Sequence, residues 1–241
     1  MALAILQARM SSSRLPGKVL APLAGAPMIL RQIERLRRTR TLERIVVATS
    51  TRADDDPLAQ AVTAAGVPVH RGDLDDVLGR FIGALDAFGP VETVVRLTAD
   101  CPLADPDVID ATIDRFHETG ADYVSNVAEP RTFPKGLDVE VMKAAALRRA
   151  ASETADPYDR EHVTPYLYRH PERFRLAAYA QATGEGEGEV RWTVDRPDDL
   201  VFVRAVYDAL YPITPAFSSA DVRALVRDRP DLATLGGDRR V

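Results

Sequence analysis

Residues 2–20 read ALAILQARMSSSRLPGKVL. Ala2–Ala8 opens as an apolar run of strand length, and Leu3–Leu6 has none of the polar alternation of a half-exposed strand. Such a run suits a strand buried on both faces, the habit of parallel sheets. It breaks into a loop carrying Ser11, Ser12, Ser13, Arg9, Arg14 and Lys18. In parallel α/β sheets ligands collect at the carboxyl ends of strands, and the loop after the first strand is a usual contact point. Small residues let backbone N–H groups approach an anion, and Arg and Lys add charge-assisted hydrogen bonds. By composition alone the loop reads equally as a solvated basic surface. It is not a Walker A loop: Ser12 stands where the first glycine is required, and Val19 follows Lys18.

Outward from this stretch, strands and helices alternate. The spacing predicts a helix over Pro27–Arg38, a strand over Arg44–Ser50, a helix over Asp54–Ala65 closed by Gly66, and a short strand over Val67–His70. A helix over Asp75–Ala87, a strand over Glu92–Asp100 and a helix over Pro106–Thr119 closed by Gly120 follow. Four such strand-then-helix units predict a mostly parallel sheet covered on both faces. Beyond residue 126 the texture is less regular. Strands are expected at Asp122–Asn126, Gly136–Met142, Phe174–Ala180 and Val190–Asp195, and helices at Lys143–Ser152, Asp159–Arg169 and Pro197–Leu210, the last of the chain. Gly184–Glu189, GEGEGE, reads as a mobile turn.

Composition sets the class. The 241 residues are 46% hydrophobic with a formal net charge of −5, which gives no reason to expect nucleic acid or a membrane as partner. One cysteine, Cys101, excludes an intrachain disulfide and a multi-cysteine metal site; without a His–acid pattern beside it, it reads as a buried structural thiol. The apolar start is too short for a signal-peptide core and no run approaches a membrane span, so the expected compartment is the cytoplasm.

LQARMSSSRLPGKVL (6–20) resembles the signature loop of the cytidylyltransferases that activate acidic sugars, the CMP-sialate and CMP-3-deoxy-manno-octulosonate synthetases. The chain is most similar to the spore-coat polysaccharide (SpsF-type) branch. RGDLDDVLGRF (71–81), VVRLTADCPLADP (94–106), GLDVEV (136–141), DREHVTPYLY (159–168) and RWTVDRPDDL (191–200) resemble that branch too, in the expected order, over residues 3 to 210. The resemblance implies a three-layer, Rossmann-like nucleotide-diphospho-sugar transferase fold of α/β class, mostly parallel, with an irregular second-half insert. It implies one domain over 1–241, with a nucleotide-binding half (1–126) and a half for acceptor binding and dimerisation (127–241). The implied reaction is Mg²⁺-dependent: CTP and an acidic sugar-like acceptor give a CMP-linked product and pyrophosphate, in a homodimer.

Site residues follow from the same resemblance. Gln7, Ala8, Arg9, Ser11, Ser12, Ser13, Arg14, Lys18 and Arg80 are expected at the nucleotide, with Arg14, Lys18 and Asp100 catalytic. Asp100 and Asp195, each placed at a strand end, are the expected Mg²⁺ ligands, since nucleotidyl transfer requires phosphate charge to be neutralised and the reactants aligned. Each precedes Cys-Pro or Arg-Pro, so a turn or cap is the plainer alternative. Asp54–Asp56 precedes a helix and fits the positive end of its dipole, Asp105–Asp107 has the look of a capping segment, and Asp73, Asp75 and Asp76 read as mixed, with capping as one role. On the acceptor side Asp138, Glu140 and His162 are expected, with Arg160, Arg131 and Lys135 as anion contacts; Glu140 should share a face with Asp138 by strand alternation. Gln7 stands where better-known relatives carry proline, placing an amide at the nucleobase end. Three other readings stay open: another nucleoside triphosphate with a sugar 1-phosphate, a glycosyltransferase of related fold, and a non-enzymatic nucleotide-binding module.

Overall fold

The computed structural model describes residues 2–181 and 187–241. The first half follows the alternation. Strand β1 (Ala2–Gln7) leads through a two-residue hairpin, β2 (Pro22–Leu23) and β3 (Ala26–Pro27), into α1 (Met28–Leu36). Then come β4 (Leu42–Ser50), α2 (Asp56–Ala64), β5 (Val69–Gly72), α3 (Val77–Phe88), β6 (Thr93–Thr98) and α4 (Pro106–Thr119). Helix α4 starts with Pro106 in its first turn and ends at Gly120 with φ 59°, the left-handed cap its sequence predicts. The second half supplies β7 (Tyr123–Ser125), β8 (Glu140–Lys143), α5 (Ala144–Glu153), α6 (Pro157–His162), α7 (Pro165–Arg169), β9 (Leu176–Ala178), α8 (Pro197–Leu210), α9 (Ser219–Asp228) and α10 (Pro230–Ala233).

One seven-stranded sheet runs in the order β5-β4-β1-β6-β8-β7-β9. Only β8 runs antiparallel, pairing β6 through Arg96–Glu140 and β7 through Ser125–Glu140, so the sheet is mostly parallel as expected. Side chains of β1 alternate between its faces. Ala2, Ala4 and Leu6 join Ile29, Ile33, Leu58, Val62, Ile109 and Ile113 on one side, beneath α1, α2 and α4. Leu3 and Ile5 join Phe81, Leu85, Leu147 and Leu167 on the other, beneath α3, α5 and α7. These are the three layers of an α/β fold. A third apolar cluster lies apart, where Trp192, Val194, Phe202, Val206, Tyr207, Phe217 and Val226 pack together with Leu23 and Met28.

Four expectations are corrected. Val190–Asp195 is not a strand: Val190, Trp192 and Val194 are buried at period two, but the segment makes a single bridge, Lys135–Arg191, and sits on a loop. Its N–H groups go to Lys135 O (from Trp192, 2.7 Å), Asp100 O (from Val194, 2.8 Å) and Arg239 O (from Arg191, 2.8 Å). Period-two burial identifies an extended chain, not a sheet neighbour. In Gly136–Met142 only Glu140 onward pairs in the sheet, because Gly136 turns at φ 112°. The helix expected over Asp159–Arg169 is two, broken at Val163 with φ 74°, so that Pro165 can open α7 without clashing with a preceding turn. Pro197–Leu210 is not the last helix, since α9 and α10 follow. Of the turn expected at 184–189, residues 184–186 lie outside the described residues, and Glu187–Glu189 forms a short 3₁₀ turn.

Candidate active site

The loop after β1 is braced from inside and pinned from outside. Met10 O accepts the N–H of Ser12 at 3.0 Å and of Gly17 at 2.9 Å, and Ser12 Oγ accepts Leu15 N–H at 3.4 Å. Gly17, at φ 73°, allows the turn into Lys18. The outside pin is Asp55, whose carboxylate accepts Met10 N–H at 2.7 Å, Ser50 N–H at 3.1 Å and the Ser50 hydroxyl. Burial works to raise the Asp55 carboxyl, and the hydrogen bonds from Met10 and Ser50 outweigh it and hold it below the usual range. Asp55 thus does more than sit at the positive end of the helix dipole: it makes no cap bond and serves the loop.

The loop opens onto a cavity of about 330 Å³ at the carboxyl ends of β1 and β6. Gln7, Ala8, Arg9, Ser12 and Ser13 line one side. Arg14, Lys18, Asp100 and Asp195 meet at another, with Arg80 and His162 completing the wall. Ser11 is exposed and lies outside this lining.

The charge centre is compact. Lys18 Nζ donates to Val194 O at 2.6 Å and to Asp195 Oδ1 at 2.9 Å, and lies 3.7 Å from Asp100 Oδ2. Arg14 Nη2 reaches the same Asp195 oxygen at 2.8 Å from an exposed position, and Arg191 Nη2 holds Asp195 Oδ2 at 3.0 Å. Burial works to raise the Asp195 carboxyl; Lys18, then Arg14 and Arg191, hold it below the usual range, so it is ionised at neutral pH. Two carboxylates converging on one point from separate loops are a hard-oxygen donor set that fits Mg²⁺ or Mn²⁺. Among the described residues no group of three or more His, Cys, Asp or Glu side chains gathers for a metal. A cation here would therefore complete its shell with phosphate oxygens and water.

A second cavity of about 270 Å³ adjoins the first, sharing Thr98 and His162 in its lining. Asp138 and Glu140 both face it, although only Glu140 is in a strand. Asp138 pairs with Arg131 and accepts Gly136 N–H at 3.2 Å; burial nonetheless pushes its carboxyl above the usual range. Glu140 is fully engaged, by Arg96, by the Tyr123 hydroxyl and by Thr164 Oγ1 at 2.6 Å. It shapes the cavity more than it offers a free oxygen. His162 packs on Tyr158 with ring centres 4.4 Å apart, between the two cavities.

Two expected anion contacts point elsewhere. Arg160 binds Asp76 and Ala151 O, tying α6 to the start of α3, and Lys135 is exposed outside both cavities. Arg80 does line the first cavity, but its Nη1 is occupied by the carbonyls of Asp73 (2.6 Å) and Leu74 (2.8 Å) while its buried Nε has no partner. Cys101 is buried, and burial pushes its thiol well above the usual range, the state of an inert structural thiol. Asp76 and Asp105 cap as expected, Asp76 accepting Gly79 N–H at 2.8 Å and Asp105 accepting Asp107 N–H at 3.0 Å, whereas Asp73 caps no helix and accepts the loop N–H groups of Asp75 and Asp76.

Sequence reasoning missed Arg96, Asp55 and Glu161. Arg96 Nε donates to Gln7 Oε1 at 3.1 Å and Nη1 to Glu140, leaving the Gln7 amino group as its remaining donor into the first cavity. An arginine inside an otherwise apolar strand, VVRLT, is the signal that could have found it. Glu161 lines the first cavity beside His162 within a motif already quoted, and nothing in its spacing sets it apart.

Residues 3–203 match the cytidylyltransferase family. The chain is 32% identical over 236 residues to the spore coat polysaccharide biosynthesis protein SpsF of Bacillus subtilis (strain 168), covering 95% of each chain. It is 32% identical over 193 residues to the 3-deoxy-manno-octulosonate cytidylyltransferase of Mesorhizobium japonicum, covering 73% of this chain and 78% of that one. The solved structure of a cytidylyltransferase from Leptospira borgpetersenii serovar Hardjo-bovis superposes with a TM-score of 0.88 at 29% identity, over 96% of this chain and 95% of that one. Among the described residues no helix is long and apolar enough to cross a membrane. The loop after β1, the paired carboxylates it faces and these likenesses lead to one conclusion: the chain is an enzyme of the nucleotidyltransferase fold and belongs to the cytidylyltransferase family.

Proposed function

We propose that the enzyme transfers CMP from CTP to an acidic sugar or a related hydroxylated acceptor, with Mg²⁺ as cofactor and pyrophosphate as the second product. The observation that carries this reading is the convergence of Lys18, Arg14, Asp100 and Asp195 at the mouth of the loop. An acceptor hydroxyl oxygen attacks the α-phosphorus of CTP while the bond to the β-phosphate bridging oxygen breaks, and the electron pair leaves with pyrophosphate. The hydroxyl proton passes to solvent or to a nearby carboxylate. Catalysis of such a step is mainly alignment and charge neutralisation.

The chain's residues divide these tasks. Arg14, Lys18 and Arg9 bind the triphosphate, with Ser12 and Ser13 small enough to admit it against the backbone. Asp100 and Asp195 would hold the cation, which when bound supplies Lewis-acid stabilisation of the charge developing on the phosphates. Gln7 and Arg80 lie on the nucleoside side. The second cavity, with Asp138, Thr164, Tyr168 and His162 around it, offers donors and acceptors to a polyhydroxylated acceptor, and Arg131 supplies its cationic side. The names of the Bacillus and Mesorhizobium relatives support a sugar acceptor and a polysaccharide or glycoconjugate precursor role.

The same reading makes the chain one domain, 1–241, and a cytoplasmic homodimer with its contact in residues 127–241. One sheet built from both halves supports the first point, and Val201 and Ile213, apolar and exposed in the second half, support the last. Pyrophosphate release measured with each of the four ribonucleoside triphosphates against a panel of acidic sugars, with and without Mg²⁺, tests the proposal. Release confined to CTP, Mg²⁺ and an acidic sugar is expected. Release only with UTP or GTP and a sugar 1-phosphate would overturn it.

A further inference from the structure

Asp195 is fixed by no strand, yet its carboxylate is aimed as tightly as that of a residue in a sheet. Its backbone N–H donates to Asp199 Oδ2 at 2.8 Å, and so does the N–H of Arg196. Arg191 Nη2 then bridges the two acids, 3.0 Å from Asp199 Oδ2 and 3.0 Å from Asp195 Oδ2. With Oδ2 clamped from behind, Asp195 Oδ1 is left to face Lys18 and Arg14.

Asp199 itself is buried in the third apolar cluster, and its free oxygen is taken by Arg240. Arg240 is 0% exposed. Its Nη1 donates to Arg191 O at 2.6 Å; its Nη2 donates to Asp199 Oδ1 at 3.0 Å and Leu235 O at 3.1 Å. Its guanidinium lies 4.7 Å from the Phe202 ring centre, and its carbonyl accepts Trp192 Nε1–H at 2.8 Å. Burying a guanidinium costs several kcal/mol of hydration, so a pair held here needs a compensating partner or a task. Packing alone would be met by an apolar side chain.

We propose that Arg240 is a positioning residue for the cation site, setting the aim of Asp195 through Asp199 and Arg191. This rests on Asp195 being a cation ligand. The segment that supplies Arg240 lies beyond residues 3–203, the stretch that matches the family model. Outer partners that orient a ligand typically contribute about 10- to 100-fold to metal affinity.

The test reads Mn²⁺ binding by electron paramagnetic resonance, on the full chain with CTP present and no acceptor, so that no turnover is involved. Arg240→Ala is expected to raise the Mn²⁺ dissociation constant about tenfold or more while the CTP-free protein keeps its circular dichroism spectrum. Arg240→Lys keeps the charge but cannot span Arg191 O, Asp199 Oδ1 and Leu235 O together, so it should weaken Mn²⁺ binding by a smaller factor. If Arg240→Ala does not fold, Arg240→Lys decides. Wild-type Mn²⁺ affinity in a folded Arg240 variant, with or without a lower melting temperature, overturns the proposal provided Asp195→Asn binds Mn²⁺ weakly. Wild-type affinity in Asp195→Asn as well removes the ligand role on which it rests.

Discussion

Asp55 accepts the backbone N–H of Met10 at 2.7 Å across 45 positions of sequence, so the loop after the first strand is held by a carboxylate from the turn after β4. Asp55→Ala would leave the buried N–H groups of Met10 and Ser50 without their acceptor. Leaving buried donors unpaired costs about 1–3 kcal/mol each. The expected outcome is a loss of about 2 kcal/mol in urea unfolding together with weaker CTP binding by fluorescence titration. Wild-type CTP affinity in the destabilised variant would mean the pin serves the fold alone.

Lys18 touches both acids of the charge centre, and a residue that organises the reacting phosphates should act on turnover. Lys18→Ala and Asp100→Asn are each expected to lower kcat by more than about tenfold, about 1.4 kcal/mol of transition-state stabilisation. Asp195→Asn should shift the Mg²⁺ titration to higher concentration. Steady-state kinetics on variants with intact circular dichroism spectra decide these roles, and unchanged rates would refute them.

The architecture was legible in the sequence wherever one residue type enforces one geometry. Pro106 and Gly120 bracket α4 because a proline fits a first helical turn and a glycine fits a left-handed cap. The loop stood out because it follows a buried strand, although its composition alone reads equally as a solvated basic surface, and only the order of the later motifs separated the two. Asp55 was not, because three successive acids before a helix look the same whether they cap it or reach across to another loop. Val190–Asp195 misled for a related reason: burial of Val190, Trp192 and Val194 sets a period but names no partner, and the partner is a loop. Arg240 carries no local signal at all, since its partners Asp199 and Arg191 lie 41 and 49 positions away.

Asp199 should make the fold sensitive to acid. Burial works to raise its carboxyl, but the N–H groups of Asp195 and Arg196 with Arg240 and Arg191 bring it down to about 2 from 3.8. A depressed folded-state value means the unfolded chain takes up the proton first, so the stabilisation is complete above pH 4 or so and is lost as pH falls toward 2. At about 1.4 kcal/mol per unit the contribution is about 2 kcal/mol. Urea midpoints at pH 7, 4 and 2.5 should fall for the wild type across this window. Asp199→Asn should be less stable at pH 7 and lose less on acidification; an equal loss in both would remove Asp199 from the account.

Gly136 sits at φ 112°, and a Cβ there would meet the Trp192 carbonyl carbon at 2.9 Å. Gly136→Ala therefore carries both backbone strain and a clash with main chain, and strain of this kind costs about 1–3 kcal/mol. Because Gly136 N–H also donates to Asp138, the substitution is expected to raise KM for the acceptor more than KM for CTP. A lowered melting temperature with an unmoved acceptor KM would confine the effect to folding.

Arg96 has a consequence beyond its hydrogen bonds. Its guanidinium grips Gln7 with one nitrogen and Glu140 with another, so a wall residue of the first cavity and one of the second lean on the same planar group. Under the proposed function, recognition of the base and recognition of the acceptor would therefore not be separately adjustable. A sequence that trades Gln7 for another residue releases Arg96 to shift toward Glu140, and a change at Glu140 frees it toward Gln7. Retailoring the enzyme to a new acceptor will require the two positions to be varied together, as a correlated pair, with nucleotide preference monitored throughout.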